Sequence, residues 1–335
     1  MMKVWVIEGD GGIDKLTRVE RNVPTPGPSE ILVRMKANSI NYRDYSTIQD
    51  PRARGIRGPR IPNSDGAGIV EAVGAGVSAF KPGDRVVGTF FQNWIAGPVR
   101  DVVMPSALGG PIDGVLAEYV VLKETGALPI PKHLSFEEAA TLPCAALTAW
   151  HCLFAAGKAQ AGQTVLLLGT GGVSIFAQQF AKMAGIRTII TSSSDEKLAR
   201  AKTLGANELV NYRRHPDWET EVSRLTDGRG VDLVIEVGGA GTLQKSAASV
   251  RIGGRISLVG ILSGGLMDPT IFMRKSITLK GVYVGPRDMF SAMNAALEHH
   301  AIRPVIDATV DFDAAKDAYR MMEKAAHFGK IVISI

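Results

Sequence analysis

Residues 164–177 read TVLLLGTGGVSIFA, and the change of period inside this stretch decides the fold. Val165, Leu166, Leu167 and Leu168 form a short unbroken apolar run, the pattern of a strand covered on both faces in a parallel sheet. Beyond the glycines, Val173, Phe176, Ala177 and Phe180 recur at helical spacing. Strand, glycine turn and helix open a βαβ unit in which the turn lets backbone approach a pyrophosphate and the helix N-terminus supplies positive potential. Gly169, Gly171 and Gly172 stand in the turn, while Ser174 occupies the place where a final glycine is usual.

The following segments repeat the alternation. RTIITS (187–192) reads as a second strand, and SSDE (193–196) has capping-box spacing for a helix running to Leu204, with Gly205 placed to stop it. Further strand-like runs cover 208–211, 231–237, 254–260 and 277–284, with helical segments between most of them. This order predicts an α/β, doubly wound parallel sheet.

The end of the second strand selects the dinucleotide. An acidic side chain there would accept from ribose hydroxyls and repel a 2′-phosphate. Here the strand ends in TSSSDEK: serines offer donors to a phosphate, Lys197 adds charge one helical turn on, and Tyr212 closes the third strand beside them. Asp195 dissents, and reads as a first-turn charge that favours the helix dipole. The balance favours NADPH over NADH.

With 335 residues the chain exceeds one ordinary core. No apolar run approaches a membrane span. The beginning, MMKVWVIEGD, reads as a strand rather than a signal peptide. Cys144 and Cys152 are the two cysteines, too few for a disulfide framework, so a reducing cytoplasm is expected. The net charge of +5 clusters only in PRARGIRGPR (51–60), which lacks aromatics and reads as a mobile solvated loop rather than a nucleic-acid surface.

Residues 1 to about 125 carry short strands punctuated by Gly and Pro: KVWVIE, EILVRMKANSI, GAGIVEAVG, DRVVGTF and LAEYVVL. They suggest a barrel-like β domain. After Arg287 the chain returns with helix, strand, helix and a last strand, KIVISI. A chain that leaves one domain, builds another and returns makes a cleft between them, a favoured ligand position.

PGPSEILVRMKANSINYRD, PNSDGAGIVEAVG, FKPGDRVVG, EEAATLPCAALTAWHCL, the GTGGVS turn, SSSDEKLARAKTLGA, VNY and HFGKIVI together resemble the medium-chain dehydrogenase/reductase superfamily, and within it the zinc-independent quinone oxidoreductase-like group. The resemblance implies a GroES-like β-barrel domain (1–146 and 286–335) and a Rossmann-type domain (147–285). It implies that Ser193, Lys197 and Tyr212 hold the 2′-phosphate. Further cofactor contacts are implied at Asn41, Thr148, Gly169, Gly171, Gly172, Val173, Val259, Ile261, Val284, Phe328 and Lys330. Relatives of this fold pair the last strand of the nucleotide sheet with its symmetry mate, which implies a homodimer through 277–284, with Val282 and Val284 at the contact.

The superfamily's alcohol dehydrogenases use a catalytic zinc. Where they carry a cysteine followed shortly by Asp, this chain has Asn41 before Asp44; where they carry Gly-His-Glu, it has Asn63, Ser64 and Asp65; Cys144 falls at the third ligand position. One thiol cannot hold a catalytic zinc, which takes three protein ligands, so no metal is expected. No cysteine occurs between Phe90 and Leu116, where a structural zinc lobe would lie; FQNWIAGPVRDVVMPSALGGPIDG (91–114) stands there instead. Without a Lewis acid, hydride addition to a quinone or conjugated enone is easier than oxidation of a simple alcohol, because the developing charge spreads over the π-system. The candidate donors are Asn41, Tyr42 and Arg43. Asn41 reads equally as a nicotinamide-ribose ligand, Tyr42 as a packing aromatic and Arg43 as the partner of Asp44. An alcohol or aldehyde oxidoreductase and a non-catalytic NADPH-binding protein are the alternatives.

Overall fold

The computed structural model describes residues 1–260 and 262–335, so Ile261, an expected cofactor contact, lies outside the described residues. The chain forms two compact units, one of Met1–Leu147 with Gly285–Ile335 and one of Thr148–Val284.

The first unit opens with an antiparallel pair, β1 (Met2–Val6) and β2 (Thr17–Arg21), followed by β3 (Glu30–Ile40), helix α1 (Tyr42–Gln49), β4 (Asp65–Val73), β5 (Arg85–Gly88), β6 (Tyr119–Lys123), β7 (Ala127–Pro129) and the short α2 (Phe136–Ala140). The second contains α3 from Thr148 onward (Leu147–Trp150 in all), β8 (Thr164–Leu167), α4 (Gly172–Met183), β9 (Arg187–Ser192), α5 (Asp195–Thr203), β10 (Glu208–Asn211), α6 (Trp218–Leu225), β11 (Val231–Glu236), α7 (Ala240–Ser249), β12 (Val250–Leu258), α8 (Thr270–Arg274) and β13 (Thr278–Gly281). The chain then re-enters the first unit with α9 (Arg287–His299), β14 (Ile306–Asp311), α10 (Ala315–Glu323) and β15 (Lys330–Ser334).

Among the described residues, the second unit holds a six-stranded parallel sheet in the order β10-β9-β8-β11-β12-β13. The order reverses between β8 and β11, which places the turn after β8 at the point where doubly wound sheets bind ligands. β8 and β11 are buried along their whole length, which is why they read as continuous apolar runs. Leu166, Ile189, Val234 and Ile256 form the centre of that core. The first unit builds a largely antiparallel sheet, β14-β15-β3-β4-β5-β7, with β6 also on β3. Its core includes Ile31, Val33, Met35, Val70, Val115 and Ile331. Among the described residues no helix is long and apolar enough to cross a membrane.

Three expectations are corrected. The final strand of the parallel sheet is Thr278–Gly281, not 277–284, because the backbone leaves the ladder after Val282 and Val284 adopts a left-handed φ of 57°. Val282 and Val284, expected at a subunit contact, are only 7% and 3% exposed within their own chain. The cap of α5 is Ser194 rather than Ser193: its Oγ accepts from the Lys197 N–H at 3.3 Å, and its own N–H is held by the Ser192 hydroxyl, which keeps the strand exit extended one residue longer. In the arginine-rich stretch, Arg52 pairs with Asp10 and Arg60 with Asp113, at 3.0 and 3.3 Å.

The 91–114 segment has a structural role that its sequence did not disclose. The carbonyls of Trp94 and Ile95 accept from the N–H groups of Arg287 and Asp288, both at 2.9 Å. Helix α9 starts at Pro286 with no side-chain cap, so this segment satisfies donors that every helix start leaves open.

Candidate functional site

In the second unit, β8 ends at Leu167 and the chain turns through Gly169, whose φ of 71° suits glycine and whose N–H donates to Thr191 Oγ1 at 3.1 Å. Ser174, the departure from the usual glycine, donates its hydroxyl to the Leu168 carbonyl at 2.6 Å and so closes the turn on its own strand. Gly171 is the N-cap of α4 and has an ordinary φ of −77°. A Cβ built there would meet nothing within 4 Å. The chain itself thus gives no steric reason for a glycine at 171. Helix α4 begins without a side-chain cap, so its first N–H groups, those of Gly172 and Val173, are left without a side-chain partner.

At the edge of the same sheet, the Tyr212 N–H donates to the Ser192 carbonyl at 3.1 Å, tying the ends of β9 and β10 together. Ser193 and Lys197 are half-buried there and the Tyr212 ring is exposed. Asp195 is engaged by its own chain: Asn211 donates to one carboxylate oxygen at 2.7 Å, and Arg214 pairs with the other. Sequence reasoning missed Asn211 and Arg214. The signal was present in NYRRHP (211–216), where two arginines directly follow Tyr212. Thr148 is buried and Val259 half-buried.

In the first unit, Asn41 precedes α1, and the Asp44 carboxylate accepts its N–H at 2.9 Å, one half of a capping box. The Asn41 amide oxygen accepts from the Lys330 ammonium, which also donates to the Ile40 carbonyl at 2.8 Å. Asp65 begins β4 and is fully buried. Its oxygens accept the Ser64 hydroxyl at 2.6 Å and the Cys144 N–H at 3.0 Å. Burial pushes its carboxyl up to about 6; Lys330 opposes that shift and Asp44 adds to it, while Ser64 and Asn41 pull it down. Burial lowers the Lys330 ammonium, with Asp65 acting against it. Burial, then the Asp65 charge, drives the Cys144 thiol upward. Asn63 takes a left-handed φ of 67°, tolerated by Asn, and its Oδ1 accepts the buried Tyr319 hydroxyl.

The expected donors separate. The Arg43 guanidinium lies 4.8 Å over the Phe90 ring and donates to the carbonyls of Leu108 and Gly109 and to Asp44, at 2.8, 3.3 and 3.0 Å. Through Nη1 it tethers the 91–114 segment and keeps the Asp44 partnership that its sequence also offered. Tyr42 is 40% exposed at the first turn of α1, its ring 5.8 Å from Tyr45, so it is not a core aromatic. Of the expected cofactor residues in this unit, Asn41 and Lys330 are bonded to each other, and Phe328 is buried.

Residues 27–132 match the alcohol dehydrogenase GroES-like domain and residues 172–299 the zinc-binding dehydrogenase domain. The chain is 43% identical to a zinc-type alcohol dehydrogenase-like protein of Schizosaccharomyces pombe, over 97% of this chain and 96% of that one. It is 31% identical to a 2-methylene-furan-3-one reductase of Solanum lycopersicum (99% and 79% covered) and 27% identical to a quinone oxidoreductase of Rattus norvegicus (93% and 91%). Among solved structures, a putative alcohol dehydrogenase from Sinorhizobium meliloti superposes with a TM-score of 0.90 at 39% identity, and an NAD-dependent alcohol dehydrogenase with 0.90 at 35%, each covering 100% of both chains. A mycobacterial protein complexed with NADPH superposes with 0.85 at 27% identity, again over the full length of both. These matches span both units, and the chain belongs to the medium-chain dehydrogenase/reductase superfamily, as an oxidoreductase with a GroES-like domain and a Rossmann-type domain.

Proposed function

We propose that the protein is an NADPH-dependent oxidoreductase that delivers hydride to a small electrophile, a quinone or conjugated enone, without a zinc ion. The observation that carries the dinucleotide is Gly171. The chain's own sterics do not call for a glycine there, whereas a pyrophosphate drawn to the uncapped start of α4 does. Ser193, Lys197 and Tyr212 are the groups for the 2′-phosphate. Arg214 supports this reading because it neutralises Asp195, the residue that would otherwise repel a phosphate. The likeness to a protein complexed with NADPH points the same way.

The residues at the zinc ligand positions do not fit the metal. The Asn41 oxygen already accepts from a cation, the Ser64 hydroxyl is given to Asp65, and Cys144 is held as a neutral thiol. NADPH, when bound, supplies the hydride. The chain's own contributions are to bind the pyrophosphate through the α4 N–H groups, to hold the 2′-phosphate, and to place Asn41 rigidly through Lys330 and Asp44 as the ribose contact. Tyr42, exposed beside Asn41, is the group from which a proton reaches the reduced acceptor. The reductase and quinone oxidoreductase relatives support an activated acceptor.

Steady-state oxidation of NADPH with a quinone and with an enone tests this, against reduction of NADP by an alcohol. Turnover of the alcohol alone would favour the second reading, an alcohol or aldehyde dehydrogenase, which the likeness to an NAD-dependent alcohol dehydrogenase motivates. Cofactor binding with no turnover would favour a non-catalytic role. Activity is expected to survive chelation, and stoichiometric zinc by elemental analysis would overturn the metal-free reading. A cytoplasmic location accords with Cys144 and Cys152, both free. A two-fold homodimer would pair the exposed edge Thr278–Gly281, an unprotected strand of the kind that invites pairing. A monomer mass by light scattering would remove that assembly.

A further inference from the structure

Val284 is a β-branched residue at φ 57°, a conformation that costs free energy and persists only where its surroundings enforce it. It is 3% exposed and lies just past β13, on the carboxyl side of the parallel strands, where doubly wound folds hold their ligands. Its carbonyl oxygen lies 2.6 Å from Nδ1 of His151. A carbonyl only accepts, so Nδ1 carries the proton. The helical run after α3 is a π-type segment, His151–Ala156, a form that recurs at functional sites. The next residue of that segment is tied to the same side of the sheet, since Ser257 Oγ donates to the Cys152 carbonyl at 2.9 Å. Among the described residues, no acceptor pairs with the Val284 N–H. At this strained residue the carbonyl is thus held, while the N–H, part of the preceding peptide group, is left open.

We infer that His151 is a positioning residue that, by holding the Val284 carbonyl, keeps the Val284 backbone in its left-handed conformation so that its N–H meets the nicotinamide end of the cofactor. This rests on the dinucleotide reading above and not on the identity of the acceptor. The adenosine end is held elsewhere in the unit, by Ser193, Lys197 and Tyr212, so the inference separates the two ends of one ligand. His151→Leu removes the donor. His151→Asn keeps an amide donor close to the position of Nδ1.

The test is titration of the full chain with NADPH and with 2′-phospho-ADP-ribose, which lacks the nicotinamide. His151→Leu is expected to weaken NADPH about tenfold, the loss of one hydrogen bond, and to leave the fragment unchanged within twofold. His151→Asn is expected to recover most of the NADPH affinity. Equal weakening of both ligands would show a merely structural role, and unchanged NADPH affinity would show no role; either overturns the inference. Should the leucine variant fail to fold, His151→Asn against His151→Gln carries the test, because the longer amide misplaces the donor. Equal affinities in those two would then overturn it. A wild type that prefers NADH would overturn the 2′-phosphate assignment alone, and the same comparison then runs with NADH and ADP-ribose.

Discussion

Around the glycine turn, a missing Cβ leaves open space and the start of α4 leaves N–H groups uncapped. Around Asp65, by contrast, carboxylate, ammonium, amide and hydroxyl are turned onto their own chain. The first arrangement is stable because it is at a surface and water can fill it. The second is buried, and each group there depends on its neighbours. Substitutions at the turn are therefore expected to change binding and leave stability alone, and substitutions in the buried cluster to change stability first.

The largest effect is expected from Lys330→Met. It removes the buried cation that bonds Asn41 and whose charge offsets that of Asp65, and leaving a buried carboxylate uncompensated costs about 3–5 kcal/mol. Urea unfolding measures it, and an unchanged midpoint would erase the distinction between the two regions.

Acidity separates the regions next. The folded chain holds the Asp65 proton up to about pH 6, while the unfolded chain releases it near the ordinary 3.8. The folded state therefore binds more protons in that window, and stability falls by about 3 kcal/mol as pH rises from about 4 to above 6. Asp65→Asn should flatten that slope. Asp232, in the second unit, behaves oppositely. Burial works against its charge, but Arg229, the Thr164 N–H and Arg251 outweigh it and lower its carboxyl to about 2. Its contribution is present above about pH 4 and is lost as pH falls toward 2.

Lys197→Ala sharpens the contrast from the other side. NADPH binding should weaken by about 1–3 kcal/mol, as for a hydrogen bond to a charged group, with NADH binding and the melting temperature unmoved. Equal wild-type affinity for both cofactors would contradict the phosphate assignment. The smallest effect is expected at Gln178, fully buried in α4, whose amide oxygen and nitrogen find no partner among the described residues. Gln178→Leu should stabilise by about 1 kcal/mol, seen as a raised unfolding midpoint.

The parallel sheet and its turn were legible because their signals are local: an apolar run, a glycine, a helical period. Ser193 and Tyr212, just past the ends of β9 and β10, and Lys197, in the first turn of α5, were singled out by the same local patterns, and their role toward a phosphate belongs to the proposed function. The tether from Arg43 to Leu108 and Gly109 was not legible, because those partners are 65 and 66 residues away and no local pattern marks a carbonyl as an acceptor. The bond between Lys330 and Asn41 spans 289 residues, and no local pattern discloses it. The end of β13 was placed too far along because Val282 and Val284 have strand-like side chains, while the backbone at 284 is left-handed and its carbonyl is bonded to His151, 133 residues earlier.

The last strand of the chain, β15, does not lie at a margin: it is paired on one side with β14 and on the other with β3. The second unit, by contrast, is one uninterrupted segment, Thr148–Val284. During synthesis that segment can complete its sheet while the first unit still waits for the ribosome to release residues 330–334, leaving β3 with an unfilled edge. Translation order thus predicts that the second unit folds first, and a nascent chain stalled near residue 325 is expected to resist protease over 148–284 while its first 147 residues remain cleavable.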